Sequence, residues 1–426
     1  MIATIAPSFG GLAALLALAG GLAVLVGATV LSHQAGANYS AALVYLILGS
    51  AAALLLTQLD VGWLDPLDHL DAVQNLVSAA IVIALFATGI RIDHRLIWRG
   101  WSSVARLLIL AMPLVIAAVA GLGVALLGVP LGVAIMIGAM LAPTDPVLAG
   151  EIGVGPPGES DEREERFAIT GEAGLNDGLA LIFVSFGLAY LENGTSSILH
   201  WLLVDVGYSL VAALAIGVVV GHGVGWLAVR QRNREHLDPQ VDLLVGLGAA
   251  FVLYGAAGAV GGNGFIAVFV GALAFRRYER RDELHRGVFE DLEQAGRLAE
   301  LAAIILLGTV LSIEGLTSIG WSGWLIVLLL LLVIRPASVL VGFVGSRRTR
   351  AERAFIAWFG VRGLASIYYA AAIGASGLLA ADEVALIWWI AVGTVVVSIV
   401  VHGLTGTQGM KFVQRRSLRS GGSGRR

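Results

Sequence analysis

Apolar runs of about 20 residues follow one another along almost the whole chain, each long enough to cross roughly 30 Å of hydrocarbon as helix. Inside a bilayer the backbone must satisfy its own polar groups, so only helices and closed barrels can span it. Strand-like alternation is absent from these runs, which excludes a β-barrel. With 58% of its 426 residues hydrophobic and 13% charged, a soluble domain could not cover its own core. The chain therefore reads as an all-α polytopic membrane protein. It has no cysteine, hence neither a disulfide framework nor a thiolate metal site.

Counting from the left gives about thirteen transmembrane helices. Their approximate limits are 11–31, 40–57, 71–91, 102–127, 131–151, 165–192, 198–230, 239–259, 263–276, 296–312, 320–345, 352–376 and 383–410. Residues 1–10 lack the basic start of a secretory signal. Ala35-Gly36-Ala37 faintly resembles a cleavage site, but the first run is expected to stay as a helix.

An odd number of spans places the termini on opposite sides, and the basic residues choose which. Arg91, Arg95 and Arg99 follow the third span; Arg163 and Arg166 follow the fifth; Arg230, Arg232 and Arg234 follow the seventh. The connections after the ninth and eleventh and the tail after Met410 continue the pattern, so 23 of the 27 lysines and arginines fall on one face. Even-numbered connections carry none. This split predicts a cytoplasmic C-terminus and an external N-terminus in the cytoplasmic (inner) membrane. The formal net charge of −3 thus hides a basic inner face, suited to anionic lipid and not to nucleic acid.

Four arginines remain within spans. Arg106 and Arg297 lie near helix ends, where snorkelling explains them. Arg335 and Arg362 lie deeper and call for carboxylate partners. The acidic candidates are Asp145, Glu172, Asp177 and Glu300; Glu300 stands three residues from Arg297 and can pair with it. Three acids then face two bases, leaving about one surplus negative charge when all are ionised. A buried surplus of that kind binds either a proton or a metal cation.

The fifth span reads Ala142-Pro143-Thr144-Asp145-Pro146, and two prolines three apart break the helical ladder in mid-membrane. Such a break survives only within protein or beside a wet cavity, and transporters build ion sites in this way. The plainer role for Asp145 is to cap the half-helix that Pro146 starts. In the sixth span Glu172 and Asn176 share a face, with Asp177 offset by roughly 140° from Glu172. The twelfth span carries Gly360-Val361-Arg362-Gly363, whose glycines permit unwinding or close helix contact. If the last spans repeat the fourth to sixth upside down, the twelfth is the partner of the broken fifth.

These residues resemble the NhaP-like sodium/proton antiporter branch of the monovalent cation:proton antiporter family. Thr144-Asp145-Pro146, Asn176-Asp177 with Glu172 upstream, Arg335 and Gly360-Val361-Arg362-Gly363 carry the likeness, in order, over nearly the whole chain. The resemblance implies inverted repeats with broken crossing helices, the fifth and twelfth, in a homodimer. Core helices at 102–192 and 320–410 would move against an interface made from 1–101 and the linker and interface helices at 198–312, with 411–426 a short basic cytoplasmic tail. It implies that Asp145 and Asp177, assisted by Thr144, hold Na+, that Glu172 pairs with Arg335, and that Asn176 and Arg362 hold the unwound segments. Asparagine before Asp177 resembles the electroneutral branch. One departure is Ala173, where the family commonly has serine, so water or a backbone carbonyl must replace that hydroxyl.

The expected function is exchange of Na+ (or Li+) for H+, with K+/H+ exchange on the same fold as the rival. The transported ions are its only expected small-molecule partners, with no cofactor. A channel would favour a continuous polar pore, whereas here the polar residues converge on one point. Enzymatic chemistry finds no footing: the eight histidines are scattered without metal-ligand spacing, and the glycine-rich stretch at 255–264 lacks a following Gly-Lys-Ser/Thr. His222 and His402 read as hydrogen-bonded packing residues, and 159–166 as a solvated loop.

Overall fold

The computed structural model describes residues 40–58, 65–92, 97–147, 153–157, 163–234, 241–278 and 284–421, together with Leu25 and Thr29. The expected first span and the 35–37 segment lie outside the described residues, as do 422–426. Every regular element among the described residues is helical. The principal helices are α1 (Ala41–Gln58), α2 (Leu70–Arg91), α3 (Trp101–Leu127), α4 (Leu131–Leu141), α5 (Glu164–Asn193), α6 (Ser209–Asn233) and α7 (Asp242–Ala259). They continue with α8 (Gly264–Tyr278), α9 (Leu284–Thr309), α10 (Gly320–Gly342), α11 (Arg350–Trp358), α12 (Leu364–Ala375) and α13 (Ala381–Gly421).

Six helical stretches are long and apolar enough to cross a membrane. One of them, Glu164–Asn233, contains two expected spans and turns at Gly194, which adopts φ 58°. Past that turn Trp201 Nε1 donates to Ile182 O (2.7 Å) and its ring lies 4.6 Å from that of Phe186, so the chain has folded back on α5. A positive φ is open to glycine without steric penalty, which is why the reversal falls there.

Two triplets of helices share one order. α3 contains a π turn, Leu107–Ala111, just ahead of Pro113; α10 contains one, Leu330–Ile334, just ahead of Pro336. Proline cannot donate to the carbonyl four residues back, and the wider turn relieves its clash with that carbonyl. Each of these helices is followed by a broken one and then by a long one. The broken ones are α4, which stops at Leu141, and the pair α11 and α12, separated at residues 359–363. An 11-residue helix such as α4 rises only about 17 Å, so it ends within the membrane.

Elsewhere small residues set the packing. Gly217, Gly221 and Gly225 form a stripe on α6 against α8; a Cβ at Gly217 would stand 2.9 Å from Ala267 O and one at Gly225 3.2 Å from the Phe275 Cα. Lipid supplies no hydrophobic drive for helices to associate, so such close backbone contact is a main source of cohesion. α2 packs against α8 and α9 and also against α12.

Candidate functional site

The two breaks meet. Pro146 lacks an N–H group, so Ala142 O, which it would have bonded, is left over, and Val147 N, the helical donor to Pro143 O, bonds Asp145 Oδ1 instead. Arg362 takes up two carbonyls at this break: its Nη1 donates to Ala142 O and to Pro143 O (2.8 Å). A cation at the C-terminal end of α4 also lies favourably on the helix dipole. The two broken segments are tied by a backbone bond, Asp145 N to Val361 O (2.9 Å).

Asp145 sits between the start of one half-helix and the start of another. Its Oδ1 accepts from Val147 N (2.9 Å) and its Oδ2 from Leu364 N, the first residue of α12 (3.1 Å). The capping role anticipated for it is present, and it is doubled. The glycines of the twelfth span are explained by close approach. A Cβ on Gly363 would stand 2.6 Å from the Asp145 Cγ, and one on Gly360 would stand 2.5 Å from Arg335 Nε. Only glycine lets both side chains lie on the backbone there.

α13 braces the same break from behind. Ser398 Oγ accepts from Arg362 N (2.7 Å), and His402 Nε2 lies 3.0 Å from Trp358 O at the end of α11. His402 is therefore a hydrogen-bonded packing residue whose particular task is to hold a half-helix terminus.

On α5 the polar residues divide by face. Glu172 and Arg335, both buried, form a two-pronged pair at 2.5 and 2.7 Å. Asn176 Nδ2 donates to Thr144 Oγ1 (2.7 Å) and to Thr144 O (3.4 Å), tying α5 to the first break. Asp177 is 0% exposed, and neither of its carboxylate oxygens has a hydrogen-bond partner among the described residues. The nearby Asp145 carboxylate acts on it electrostatically. Gly174 and Gly178, flanking this stretch of α5, are covered by Phe269 and Ile266 of α8.

Three pairings differ from those that charge balance alone suggested. Arg362 serves backbone carbonyls and not a carboxylate, the holding role that the resemblance implied for it, because Pro146 cannot bond Ala142 O and Val147 N bonds Asp145 Oδ1 instead of Pro143 O. Arg297 bonds Glu293 (2.7 Å), one turn back, and not Glu300; Glu293 also receives Arg91 (2.7 Å), so it stands between two cations. Arg106 does not merely snorkel: its Nη1 donates to Gly342 O and Val344 O (both 2.9 Å), closing the C-terminal end of α10. Around the two breaks the charge surplus survives this rearrangement. Glu172 and Arg335 cancel, leaving Asp145 and Asp177 against Arg362.

Sequence reading passed over Tyr369, whose hydroxyl donates to Asp177 O, and Ser398. Polar residues spaced three apart on the otherwise apolar α12 were the available signal for Tyr369. The assembled oxygens are carboxylate, hydroxyl and carbonyl, a donor set for hard cations.

The family model described as "Sodium/hydrogen exchanger, transmembrane" matches residues 20–411. The chain is 24% identical over 249 residues to the K+/H+ antiporter NhaP2 of Shewanella oneidensis, a match covering 57% of this chain and 41% of that one. It is 25% identical over 332 residues to the Na+/H+ antiporter 2 of Zygosaccharomyces rouxii, covering 72% and 40%. The chain thus spans about two-fifths of the length of these curated relatives. Among solved structures it superposes on the sodium proton antiporter MjNhaP1 from Methanocaldococcus jannaschii at pH 8 with a TM-score of 0.70 and 18% identity, covering 93% of this chain and 99% of that one.

Proposed function

Because the chain belongs to the transmembrane sodium/hydrogen exchanger family, we propose that it exchanges Na+ or Li+ for H+ through Asp145 and Asp177. The observation that carries this reading is the Asp177 carboxylate, buried without a donor among the described residues, on a helix whose Asn176 bonds Thr144 next to Asp145. An ionised, unpaired carboxylate in low dielectric costs several kcal/mol, so the site demands a cation or a proton. It holds one or the other, never both at full occupancy. Thr144, oriented by Asn176, adds a hydroxyl oxygen.

The loaded site is near neutral and crosses the barrier; the empty, doubly ionised site does not. Coupled exchange follows from that prohibition. One Na+ and one H+ carry the same charge, and Arg362 travels with the site in either load, so a one-for-one exchange is electroneutral. The moving part comprises 102–192 and 320–410, which hold both breaks and their braces, and it moves against the remaining helices. The homodimer would form through those remaining helices, where α6 and α7 carry exposed Val218, Val219, Phe251 and Val252. The arginine distribution supports a cytoplasmic membrane location with the N-terminus outside.

K+/H+ exchange is the second reading, favoured by the likeness to the Shewanella antiporter. The test is proton flux in vesicles of the purified protein under Na+, Li+ and K+ gradients. Na+ and Li+ should drive flux that Asp145→Asn and Asp177→Asn each abolish. Flux driven by K+ alone would select the second reading, and full activity in both variants would eliminate the two-aspartate site.

A further inference from the structure

Ser366 lies on α12 with its side chain fully enclosed, and its hydroxyl has no hydrogen-bond partner among the described residues. A helical serine usually returns its hydroxyl to a carbonyl three or four residues back. Here those carbonyls belong to Gly363 and Arg362, which lie in the break and not in the helix, and Gly363 O already accepts Ser366 N (3.1 Å). The hydroxyl is thereby freed from its ordinary local partner.

Its direction is bracketed by two contacts. Three residues before it, Gly363 is pressed against the Asp145 carboxyl group. Three residues after it, Tyr369 donates its hydroxyl to Asp177 O. In a helix, a step of three residues moves about 60° round the axis and about 4.5 Å along it. Ser366 therefore stands between the point where α12 meets Asp145 and the point where it meets Asp177. Two further acceptors of this region are unclaimed among the described residues: the Asp177 carboxylate and Asn176 Oδ1. The Asn176 amide cannot be turned to remove the latter, because Thr144 O requires its NH2 group. One turn before Asp177, Ala173 offers no oxygen.

We propose that Ser366 Oγ is a neutral ligand of the transported alkali cation, completing with Asp177 the oxygen shell between α5 and α12. The assignment rests on the two-aspartate reading above. It adds a specific asymmetry. A proton needs one carboxylate oxygen, whereas a hard cation stripped of water needs several. Ser366 thus raises affinity for the cation without raising affinity for the proton with which it competes.

The test uses the purified full chain and sodium chloride as probe, reading the Na+ concentration that half-maximally raises the melting temperature. Ser366→Ala should raise that concentration roughly tenfold, the scale of one lost bond to a charged group. Ser366→Cys, of similar shape but a poor partner for a hard cation, should do the same. Ser366→Thr, which keeps the hydroxyl, should stay near wild type. The melting temperature without Na+ should hardly move in any of the three. An unchanged Na+ midpoint in the Ala or Cys variant, or an equal shift in Thr, overturns the proposal. So does a fall in Na+-free stability with no change of midpoint, the mark of a packing role. Asp177→Asn separates the two failures. If it keeps the Na+ response, the two-aspartate reading fails and this assignment with it. If it loses the response while Ser366→Ala keeps it, only Ser366 is wrong.

Discussion

Asp145 caps two half-helices with its two carboxylate oxygens, whereas the carboxylate of Asp177, on the helix tied to it through Asn176 and Thr144, receives no hydrogen bond among the described residues. The two acids thus differ in kind. One is built into the crossing, and the other is left available. Removing each charge should therefore have opposite structural consequences.

Asp177→Asn removes a buried charge that nothing in the described protein compensates, so in Na+-free detergent solution it should melt at or above the wild-type temperature. Asp145→Asn turns an NH2 group toward one of two backbone donors and should lose about 1–3 kcal/mol. Thermal unfolding of the two variants side by side checks this, and a reversed order would show that the caps carry little weight.

Glu172 and Arg335 form a buried two-pronged pair, and breaking such a pair from one side strands the other charge. Glu172→Gln or Arg335→Met alone should cost about 3–5 kcal/mol. The double variant should recover much of that loss, because it strands nothing. A double-mutant cycle in melting temperature measures the coupling; simple additivity would refute it.

Gly363→Ala places a methyl where the Asp145 carboxyl group lies. Exchange should fall at least about tenfold, the loss of roughly 1.4 kcal/mol of site stability, while the protein still inserts and folds. Gly121→Ala is the matched control, since a Cβ there meets nothing within 4 Å. Equal activity in the two variants would show that Asp145 does not need its present position.

If H+ and the cation compete for Asp145 and Asp177, acidification must weaken the apparent Na+ affinity. While one proton is displaced per cation, the half-saturating Na+ concentration should rise about tenfold for each pH unit of acidification and level off at alkaline pH. Flux titrations at several pH values provide the measurement. A half-saturating concentration independent of pH would rule out a shared site.

Much of this could be read before any coordinates. From residue 40 onward helices lie on the apolar runs, because a backbone in lipid has few alternatives to helix, though α4 stops at Leu141 and α9 begins at Leu284, well away from the run limits. The first break is equally local: Pro143 and Pro146 end a helix wherever they occur. Less was legible at the twelfth span. Gly360 and Gly363 announce tolerance without saying what approaches, and only the fold brings Arg335 onto one and Asp145 onto the other.

Partner choice was the part most hidden. Arg297 had a plausible partner in sequence and took another, and Arg362 and Arg106 bond particular backbone carbonyls that no local pattern singles out, because a guanidinium bonds whichever acceptor the packing leaves unsatisfied nearby. Span, break and surplus charge are properties of short stretches and of a sum over residues, so the chain carries them in one dimension. Which carboxylate is capped, which is bare, and which hydroxyl on α12 faces them depend on residues about 200 positions apart meeting in space. Only the folded bundle decides that.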